Sequence, residues 1–364
     1  MYVIAHNGSS IFGGGELGTV FLLAGLRARG HRVLMLCRDR EIAARVESYG
    51  VPADVQRVGG DAMATDALRL GLRLRRERPD AVILTTFKKV VLSGLGARIG
   101  GARPVIQRIV LEGDTPARGA RYRWAIRRLV DYVTLNADAM RGPFLAGDPQ
   151  LEPGRVITLL DGVRTPQRSR EPGAVRRELG IPADAPVVGA VARLARQKRL
   201  DRLVHALAVL PPGVHCIVTG EGEEREPLQA LAAELGVADR LHLPGFRRDV
   251  GDVLDALDVF VVCSDREGMA NAMLEAMAFG IPIVSTLVSG AKEALEPGSD
   301  GAAPGEIIES SVDALAAALR RLIGDEDARR AMGEAGRRRV AERFSYERWL
   351  DRWESLLFGR GANA

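Results

Sequence analysis

The sequence predicts an α/β protein built from two doubly wound domains. Short apolar runs alternate with amphipathic stretches along the 364 residues, and the alternation is interrupted once, at 161–186, by a stretch rich in proline and charge. Such a βαβ series implies a parallel sheet covered by helices on both faces. The length also fits two domains at roughly 100–200 residues each.

The first series begins with an apolar run at 3–5 and a long glycine loop. Apolar residues then recur at helical spacing from Glu16 to Arg29, and Gly30 follows as an end signal. Later apolar runs predict strands at 33–37, 81–85, 105–109 and 132–135.

The second series follows the proline-rich stretch. Its strands are predicted at 187–191, 214–219, 241–243, 259–263 and 282–285. Its helices are predicted at 200–210, 224–235 and 271–279, and three more at 313–323, 325–343 and 345–358 close the chain. Ligands of doubly wound domains bind beyond the carboxyl ends of the strands, so we expect the functional residues there.

Composition excludes several classes of protein. Hydrophobic residues make up 46% and charged residues 27%, which is typical of a folded globular chain. Only 17 residues are Phe, Trp or Tyr, which argues against an aromatic platform for nucleic acid. No apolar run is long enough for a membrane-spanning helix, and the first residues lack the pattern of a signal peptide. The three separated cysteines then fit buried thiols, and we expect a cytoplasmic location.

Charge is distributed unevenly. Residues 1–180 contain 29 Lys and Arg against 18 Asp and Glu, whereas residues 181–364 contain 22 against 29. Five arginines at 118–128 surround Trp124 and Ile126. Two interpretations remain open: peripheral contact with an anionic membrane, or a solvated basic face with both apolar side chains packed inward.

The glycine loop contains a formal G-x-G-x-x-G at 13–18, and Asp39 follows the second predicted strand. In a dinucleotide fingerprint the first glycine directly follows the strand, whereas here a long loop intervenes, so we reject that site. A glycine loop at the start of a helix still allows phosphate or sugar to approach the backbone. A plain turn into the helix is the alternative.

Two pairs of charged residues follow strands of the second domain. Arg193 and Lys198 lie in one loop, and such a pair suits a diphosphate, unless the loop is merely exposed and basic. Glu267 lies in a later loop and Glu275 in the helix that follows; carboxylates accept hydrogen bonds from sugar hydroxyls. Apolar residues surround Glu275, which favours a buried carboxylate over a solvent-facing one.

No metal site is expected. The acidic residues at 325–327 match a D-x-D pattern, but they precede a charged helix and fit its first turn. The five histidines show no spacing typical of metal ligands.

Taken together, these segments resemble retaining glycosyltransferases of family 4, over nearly the whole chain. The matching segments are the glycine loop at 13–15, "RGHRV" (29–33), "LLDGV" (159–163), "GAVARLARQK" (189–198), "VTGEGEEREPLQ" (218–229), "LPGF" (243–246), "EGMANAMLEAMAFGIPIVST" (267–286) and "SYERW" (345–349). The resemblance implies the GT-B fold, in which two Rossmann-like domains face each other and a C-terminal helix crosses back to the first. The implied domains are an acceptor-side domain at 1–165, a nucleotide-sugar-binding domain at 166–343 and the returning helix at 344–364.

The resemblance also implies roles for individual residues. Arg193 and Lys198 would bind the donor diphosphate and Glu267 the transferred sugar, which makes these three the expected catalytic residues. The expected donor-binding residues are Gly14, Gly15, Gly245, Phe246, Arg247, Gly268, Met269, Ala270 and Glu275, with Glu275 on the ribose and 245–247 beside the base. The donor is a nucleoside-diphosphate sugar, the acceptor a glycan, a lipid-linked molecule or a small molecule, and no cofactor is expected.

The sequence departs from the family at three places. A common His-Gly is Glu112-Gly113 here, preceded by Arg108, so Glu112 and Arg108 are the expected acceptor-side residues. The usual Asn-Gly-Val is Asp161-Gly-Val, and the usual Glu-Gly-Phe-Pro begins at Glu267 as Glu-Gly-Met-Ala. We therefore expect a hexosyltransferase of cell-envelope polysaccharide or lipopolysaccharide synthesis. A nucleotide-sugar epimerase on the same fold and an inactive nucleotide-sugar-binding protein are the alternatives.

Overall fold

The computed structural model describes residues 1–56, 63–298 and 301–359. The chain divides into two compact units. Unit 1 contains Met1–Gly162 and the chain from Glu347 onward, and unit 2 contains Val163–Tyr346. The domain boundaries predicted from the sequence are 165/166 and 343/344, and residues 360–364 of the predicted C-terminal segment lie outside the described residues.

Unit 1 alternates strands and helices along the chain. Its strands are β1 (Tyr2–Asn7), β2 (Arg32–Cys37), β3 (Ala53–Val55), β4 (Ala81–Leu84), β5 (Val105–Ile109), β6 (Tyr132–Leu135) and β7 (Val156–Thr158). Its first six helices are α1 (Gly14–Ala28), α2 (Arg40–Glu47), α3 (Met63–Glu77), α4 (Val90–Ile99), α5 (Ala120–Leu129) and α6 (Arg141–Ala146).

The seven strands of unit 1 form one parallel sheet in the order β3-β2-β1-β4-β5-β6-β7. Every residue of β1, β4 and β5 is buried, because helices cover both faces of the sheet. Asp39 caps α2 by accepting a hydrogen bond from the Ile42 amide at 3.0 Å. Asp39 is therefore the helix-capping residue after β2.

Unit 2 repeats the pattern. Its strands are β8 (Val187–Val191), β9 (His215–Thr219), β10 (Leu241–His242), β11 (Val259–Val262), β12 (Ile283–Thr286) and β13 (Gly305–Ile308). Its helices are α7 (Ala174–Glu178), α8 (Leu200–Val209), α9 (Arg225–Glu234), α10 (Val250–Asp255), α11 (Asn271–Phe279), α12 (Ala291–Leu295), α13 (Val312–Ile323) and α14 (Glu326–Arg343).

These six strands also form a parallel sheet, in the order β10-β9-β8-β11-β12-β13. Its two longest helices begin with side-chain caps: Ser311 accepts from the Ala314 amide at 3.1 Å, and Asp325 accepts from the Ala328 amide at 2.8 Å. The acidic residues at 325–327 thus form the start of α14, which confirms that prediction.

A last helix, α15 (Tyr346–Phe358), returns the chain to unit 1. Arg29, at the end of α1, forms ion pairs with Glu347 and Glu354 at 2.8 Å and with Asp351 at 2.7 Å. These carboxylates follow one another at helical spacing, so one guanidinium holds nearly two turns of α15.

The sequence patterns do not predict β3, β7 and β13. β3 and β7 have three residues each, and neither shows an apolar run that stands out in the sequence. β13 contains one glutamate and follows a glycine-rich segment. These three strands are recognised only from their pairing with a neighbouring strand.

Candidate functional site

The order of strands in unit 2 indicates where a ligand is expected to bind. β8 and β11 are adjacent, and the chain leaves them toward opposite edges of the sheet, so the order reverses between them. In open parallel sheets, ligands bind outside the carboxyl ends of the strands at such a switch point. The loops at this place are 192–199, after β8, and 263–270, after β11.

A buried ion pair joins the two loops. The Lys198 Nζ donates to Glu267 Oε1, and Ser264 Oγ donates to the same oxygen at 2.8 Å. Both charged side chains are largely shielded from solvent. An ammonium has three donors, and Glu267 uses one of them, so Lys198 can also bind an anionic ligand.

Backbone contacts also fasten the loops together. The Asp265 amide donates to the Gln197 carbonyl at 2.9 Å, and Cys263 Sγ donates to the Arg199 carbonyl at 3.1 Å. Arg199 itself adopts the left-handed conformation, with φ +49°. Its ion pairs with Asp201 at 2.9 Å and Asp265 at 3.4 Å hold it there, directly after Lys198.

Arg193 is the second cation of the site. It follows β8, its side chain is 31% exposed, and its nearest carboxylate, Glu223, is 3.9 Å away. The loop of Gly220 and Gly222 supports it from behind: a Cβ on these glycines would lie 2.0 Å from the Ala192 carbonyl oxygen and 2.2 Å from that of Leu194. Only glycine permits this close approach.

Glu275 lies in the second turn of α11, which begins at Asn271 as predicted. The side chain is half-buried among apolar neighbours, and in the described part of the chain no hydrogen bond or ion pair engages its carboxylate. Burial raises the pKa of Glu275 to about 7. A shielded carboxylate with no partner is suited to accept hydrogen bonds from ligand hydroxyls.

The loop after β10 contains the residues expected beside the base. Gly245 adopts φ +84°, and its carbonyl accepts from the Gly220 amide at 2.9 Å, so this loop lies next to the Gly220–Gly222 loop. Arg247 forms ion pairs with Glu178 at 2.5 Å and Asp249 at 2.6 Å, which already neutralise its charge. The Phe246 ring is 55% exposed.

Gly268, Met269 and Ala270 connect Glu267 to α11. The Gly268 carbonyl accepts from the Gly290 amide at 2.8 Å, Met269 is buried, and Ala270 is the N-cap residue of α11. This short connection therefore carries the backbone from the ion pair to the helix of Glu275.

The predicted residues of unit 1 separate into exposed and buried ones. Gly14 begins α1 in open space, and Glu112 is exposed beyond β5. Arg108 is buried: it donates to the Gly15 carbonyl at 3.0 Å and to Asp161 Oδ1 at 2.8 Å. This burial gives Arg108 the position of a support beneath the glycine loop.

Several residues of these clusters are not predicted from the sequence. Ser264, Asp265 and Arg199 were not singled out, although all three lie within three residues of a predicted site residue. Asn136, which donates to Asp161 Oδ2 at 2.8 Å, was missed as well. Proximity in sequence is the signal for the first three, whereas Asn136 and Asp161 lie 25 positions apart and leave none.

Within residues 1–56, 63–298 and 301–359, no three His, Cys, Asp or Glu side chains converge as metal ligands. None of the helices in these ranges has the length and apolar character needed to cross a bilayer.

Comparisons with solved structures define the class of fold. Anabaena HepE in complex with UDP-glucose superposes with a TM-score of 0.86 at 21% identity, covering 99% of this chain and 100% of that one. WaaG, a glycosyltransferase involved in lipopolysaccharide biosynthesis, gives 0.75 at 20% identity, covering 99% and 100%. The chain has the GT-B fold, as the sequence predicts.

Comparisons of sequence find similarity to glycosyltransferases. Residues 173–339 match the family model of glycosyl transferases group 1. The chain is 35% identical over 182 residues to the lipopolysaccharide core biosynthesis glycosyltransferase LpsE of Rhizobium meliloti (strain 1021), covering 50% of this chain and 52% of LpsE.

A longer alignment is found with the GDP-mannose-dependent alpha-(1-6)-phosphatidylinositol monomannoside mannosyltransferase of Mycolicibacterium smegmatis (strain ATCC 700084 / mc(2)155). It has 28% identity over 358 residues and covers 93% of this chain and 85% of that protein. With LpsE and with LpsD, a second lipopolysaccharide core glycosyltransferase of the same organism, the aligned part spans only about half of the relative's length.

Proposed function

We propose that this protein is a retaining hexosyltransferase that moves a sugar from a nucleoside-diphosphate sugar to a hydroxyl group of an acceptor. The observation that carries the proposal is the arrangement at the β8–β11 switch point. There Lys198 is paired with Glu267, Arg193 is left nearly free, and Glu275 is shielded without a partner. Two cations suit a diphosphate, and two carboxylates suit the hydroxylated rings on either side of it.

The relatives support the same class of reaction. LpsE is named as a lipopolysaccharide core glycosyltransferase, the mycobacterial relative as GDP-mannose-dependent, and HepE has been solved with UDP-glucose. We infer an acceptor that is a glycan, a lipid-linked molecule or a small molecule of cell-envelope synthesis. The donor is consumed as a substrate, and the proposed reaction requires no cofactor.

In the proposed mechanism the bond between the anomeric carbon and the diphosphate oxygen breaks first. Arg193 and Lys198 stabilise the negative charge that develops on the leaving diphosphate, in positions fixed before the reaction starts. Glu267 accepts a hydrogen bond from the transferred sugar, and Glu275 accepts hydrogen bonds from the ribose. The acceptor oxygen then attacks the same face of the sugar, and its proton passes to the leaving diphosphate.

The first experiment combines a binding screen with a product assay. Nucleoside diphosphates and their sugars are screened for the rise in melting temperature expected of a ligand that binds the folded state. The best donor is then incubated with a panel of acceptors, and NMR establishes the anomeric configuration of the product. Retained configuration supports the proposal, and inverted configuration contradicts it.

The same assay without acceptor separates the alternatives. Conversion of the free nucleotide sugar to its epimer indicates an epimerase. Tight donor binding with neither transfer nor hydrolysis across the panel indicates a binding protein without activity.

We also propose a cytoplasmic protein that contacts an anionic membrane through α5. Trp124 is 44% exposed on this helix, and exposed arginines lie three residues before it and four after it, whereas Ile126 is buried. An aromatic ring between arginines suits the interface of an anionic bilayer. Sedimentation with vesicles tests this: binding should increase with anionic lipid and fall in Trp124→Ala, and binding that ignores lipid charge contradicts it.

A further inference from the structure

Unit 1 has a switch point of its own. β1 and β4 are adjacent at the centre of its sheet; the chain continues from β1 to β2 on one side and from β4 to β5 on the other. The rule that locates the site of unit 2 therefore also locates a ligand crevice beyond the carboxyl ends of β1 and β4. The residues there are 7–9, after β1, and 85–89, after β4.

Hydrogen bonds join these two segments. Asn7 Oδ1 accepts from the Ser9 amide at 2.9 Å, from Thr86 Oγ1 at 3.1 Å and from Thr85 Oγ1 at 3.3 Å. The Gly8 amide in turn donates to Thr86 Oγ1 at 3.1 Å. The position of the Thr85–Thr86 turn is therefore fixed relative to the end of β1.

Two lysines, Lys88 and Lys89, follow this turn. Lys88 is exposed and Lys89 half-buried, and neither has an ion pair among the residues whose placement the structure gives. Lys89 Cγ lies 3.2 Å from the point where a Cβ on Gly8 would stand, so its stem packs against the segment after β1. Only four of the 51 basic residues of the chain are lysines, and two of them are here.

Two further features favour an anion. α4 starts directly after Lys89 and has ten residues, so the positive end of its dipole lies at the turn. Asn7 Nδ2, on the amide that holds the turn, is buried without a hydrogen-bond partner. A buried N–H group without an acceptor is destabilising, and an anion at the crevice would supply one.

We propose that Lys88 and Lys89 bind a phosphate group carried by the acceptor. The inference rests on the proposed transferase function only in naming the ligand an acceptor, because the site itself lies wholly in unit 1. A phosphate offers several charged oxygens, which match two ammonium groups and an amide donor. The chain would then have one phosphate-binding site in each sheet, for the donor in unit 2 and for the acceptor in unit 1.

Lysine NMR tests the site without any assay of activity. Reductive methylation with ¹³C-formaldehyde keeps the lysine charge and adds an NMR label to Lys88, Lys89, Lys198 and Lys292. Single Lys→Arg variants assign each signal to its lysine. Inorganic phosphate is titrated in while a saturating nucleoside diphosphate occupies Lys198. Saturable shifts of the Lys88 and Lys89 signals, with Lys292 unmoved, support the proposal; signals that stay fixed, or all four drifting together, overturn it.

Kinetics with an acceptor in its phosphorylated and dephosphorylated forms then test whether the reaction uses this site. The variant Lys88→Gln/Lys89→Gln should raise the KM of a phosphorylated acceptor by about tenfold to a hundredfold, the effect of losing charged hydrogen bonds. The variant should leave three quantities unchanged: the KM of the same acceptor after phosphatase treatment, the donor KM and the melting temperature. Arg330→Gln serves as the control for loss of surface charge. Equal KM changes for both acceptors, or none, overturn the proposal.

A soluble hexose phosphate and a short-chain lipid phosphate, added as competitors, distinguish the two sources of the phosphate. The compound that competes more strongly with the acceptor indicates the source of the phosphate. If neither compound competes, the result counts against the site. Absence of nucleotide binding in the wild-type protein would instead refute the proposed function, while the lysine signals would still report on unit 1.

Discussion

Arg108 and Asp161 form an ion pair in the interior of unit 1, with Nη2 and Oδ1 2.8 Å apart and both side chains only 4% exposed. Asn136 donates to the second carboxylate oxygen, and Arg108 also supports the Gly15 carbonyl. Asp161 stands where the glycosyltransferases that the sequence resembles usually have asparagine. The exchange introduces a negative charge, and Arg108 supplies the positive charge that this burial requires.

Removing one partner of this pair should destabilise unit 1. Asp161→Ala leaves the Arg108 guanidinium buried without its carboxylate, and we expect a loss of about 3–5 kcal/mol in the free energy of unfolding. The three tryptophans of the chain, Trp124, Trp349 and Trp353, all belong to unit 1, so urea unfolding followed by tryptophan fluorescence reports this unit.

The control is an exposed ion pair of the same unit. Arg45 pairs with Glu41 across one turn of α2, and Arg45→Ala should change the free energy of unfolding by about 0.5 kcal/mol or less. The double variant Arg108→Met/Asp161→Leu should recover most of the loss, because it leaves no buried charge. Equal effects of Asp161→Ala and Arg45→Ala would contradict the assignment.

The two cations at the β8–β11 switch point should affect turnover more than folding. Replacing Arg193 or Lys198 by alanine should lower kcat by about 10²–10³, as found when one charge-stabilising donor is removed. Steady-state kinetics on the transfer reaction measure this. Arg330→Ala is the matched control, because Arg330 lies near the amino ends of β11 and β12, at the opposite edge of the sheet. Near-native turnover in both Arg193→Ala and Lys198→Ala would refute the diphosphate clamp.

Glu275 should make donor binding depend on pH. Burial raises the pKa of its carboxyl to about 7, so without ligand it is about half protonated at pH 7. Ribose hydroxyls donate to the ionised form and therefore lower this pKa. Donor affinity should then rise as the pH increases from 6 to 8, and binding at pH 7 should release a fraction of a proton.

Calorimetry in two buffers of different ionisation enthalpy measures that proton release. A nucleoside-diphosphate sugar is the suitable ligand, because its diphosphate does not titrate near pH 7. Glu275→Gln should abolish both the release and the pH dependence. If the variant keeps the pH dependence of the wild-type protein, another group is responsible.

Glu275 also links stability to pH in the unliganded protein. Its folded pKa lies above the value of an exposed glutamate, so between about pH 4.5 and 7 the folded state binds more protons than the unfolded state. Stability should therefore fall as the pH rises through this window, relative to Glu275→Gln. Melting temperatures of the two proteins across this pH range measure the difference, and parallel curves would contradict the effect.

The sequence predicts the longer elements of the fold better than it predicts contacts between distant residues. The long strands and the helices α1, α11, α13, α14 and α15 follow from apolar periodicity and end signals, since burial of one face imposes that pattern. Arg193 and Lys198 could be selected because they follow a predicted strand, and Glu275 because apolar residues surround it in a predicted helix. The pairing of Arg108 with Asp161 could not, because it joins residues 53 positions apart, and neither residue type identifies its partner.

Phe246 provides a test of how the base is held. Its ring is exposed in the loop after β10, while the neighbouring Arg247 is already neutralised by Glu178 and Asp249. The ring is therefore exposed and able to stack on a base, and stacking of this kind contributes about 1–3 kcal/mol per base. Phe246→Ala should raise the donor KM by about tenfold or more with kcat little changed, and Phe246→Trp should restore it. Because stacking tolerates any base, the loss should be similar for uridine and guanosine donors, whereas a loss confined to one base would mean that this loop reads base edges.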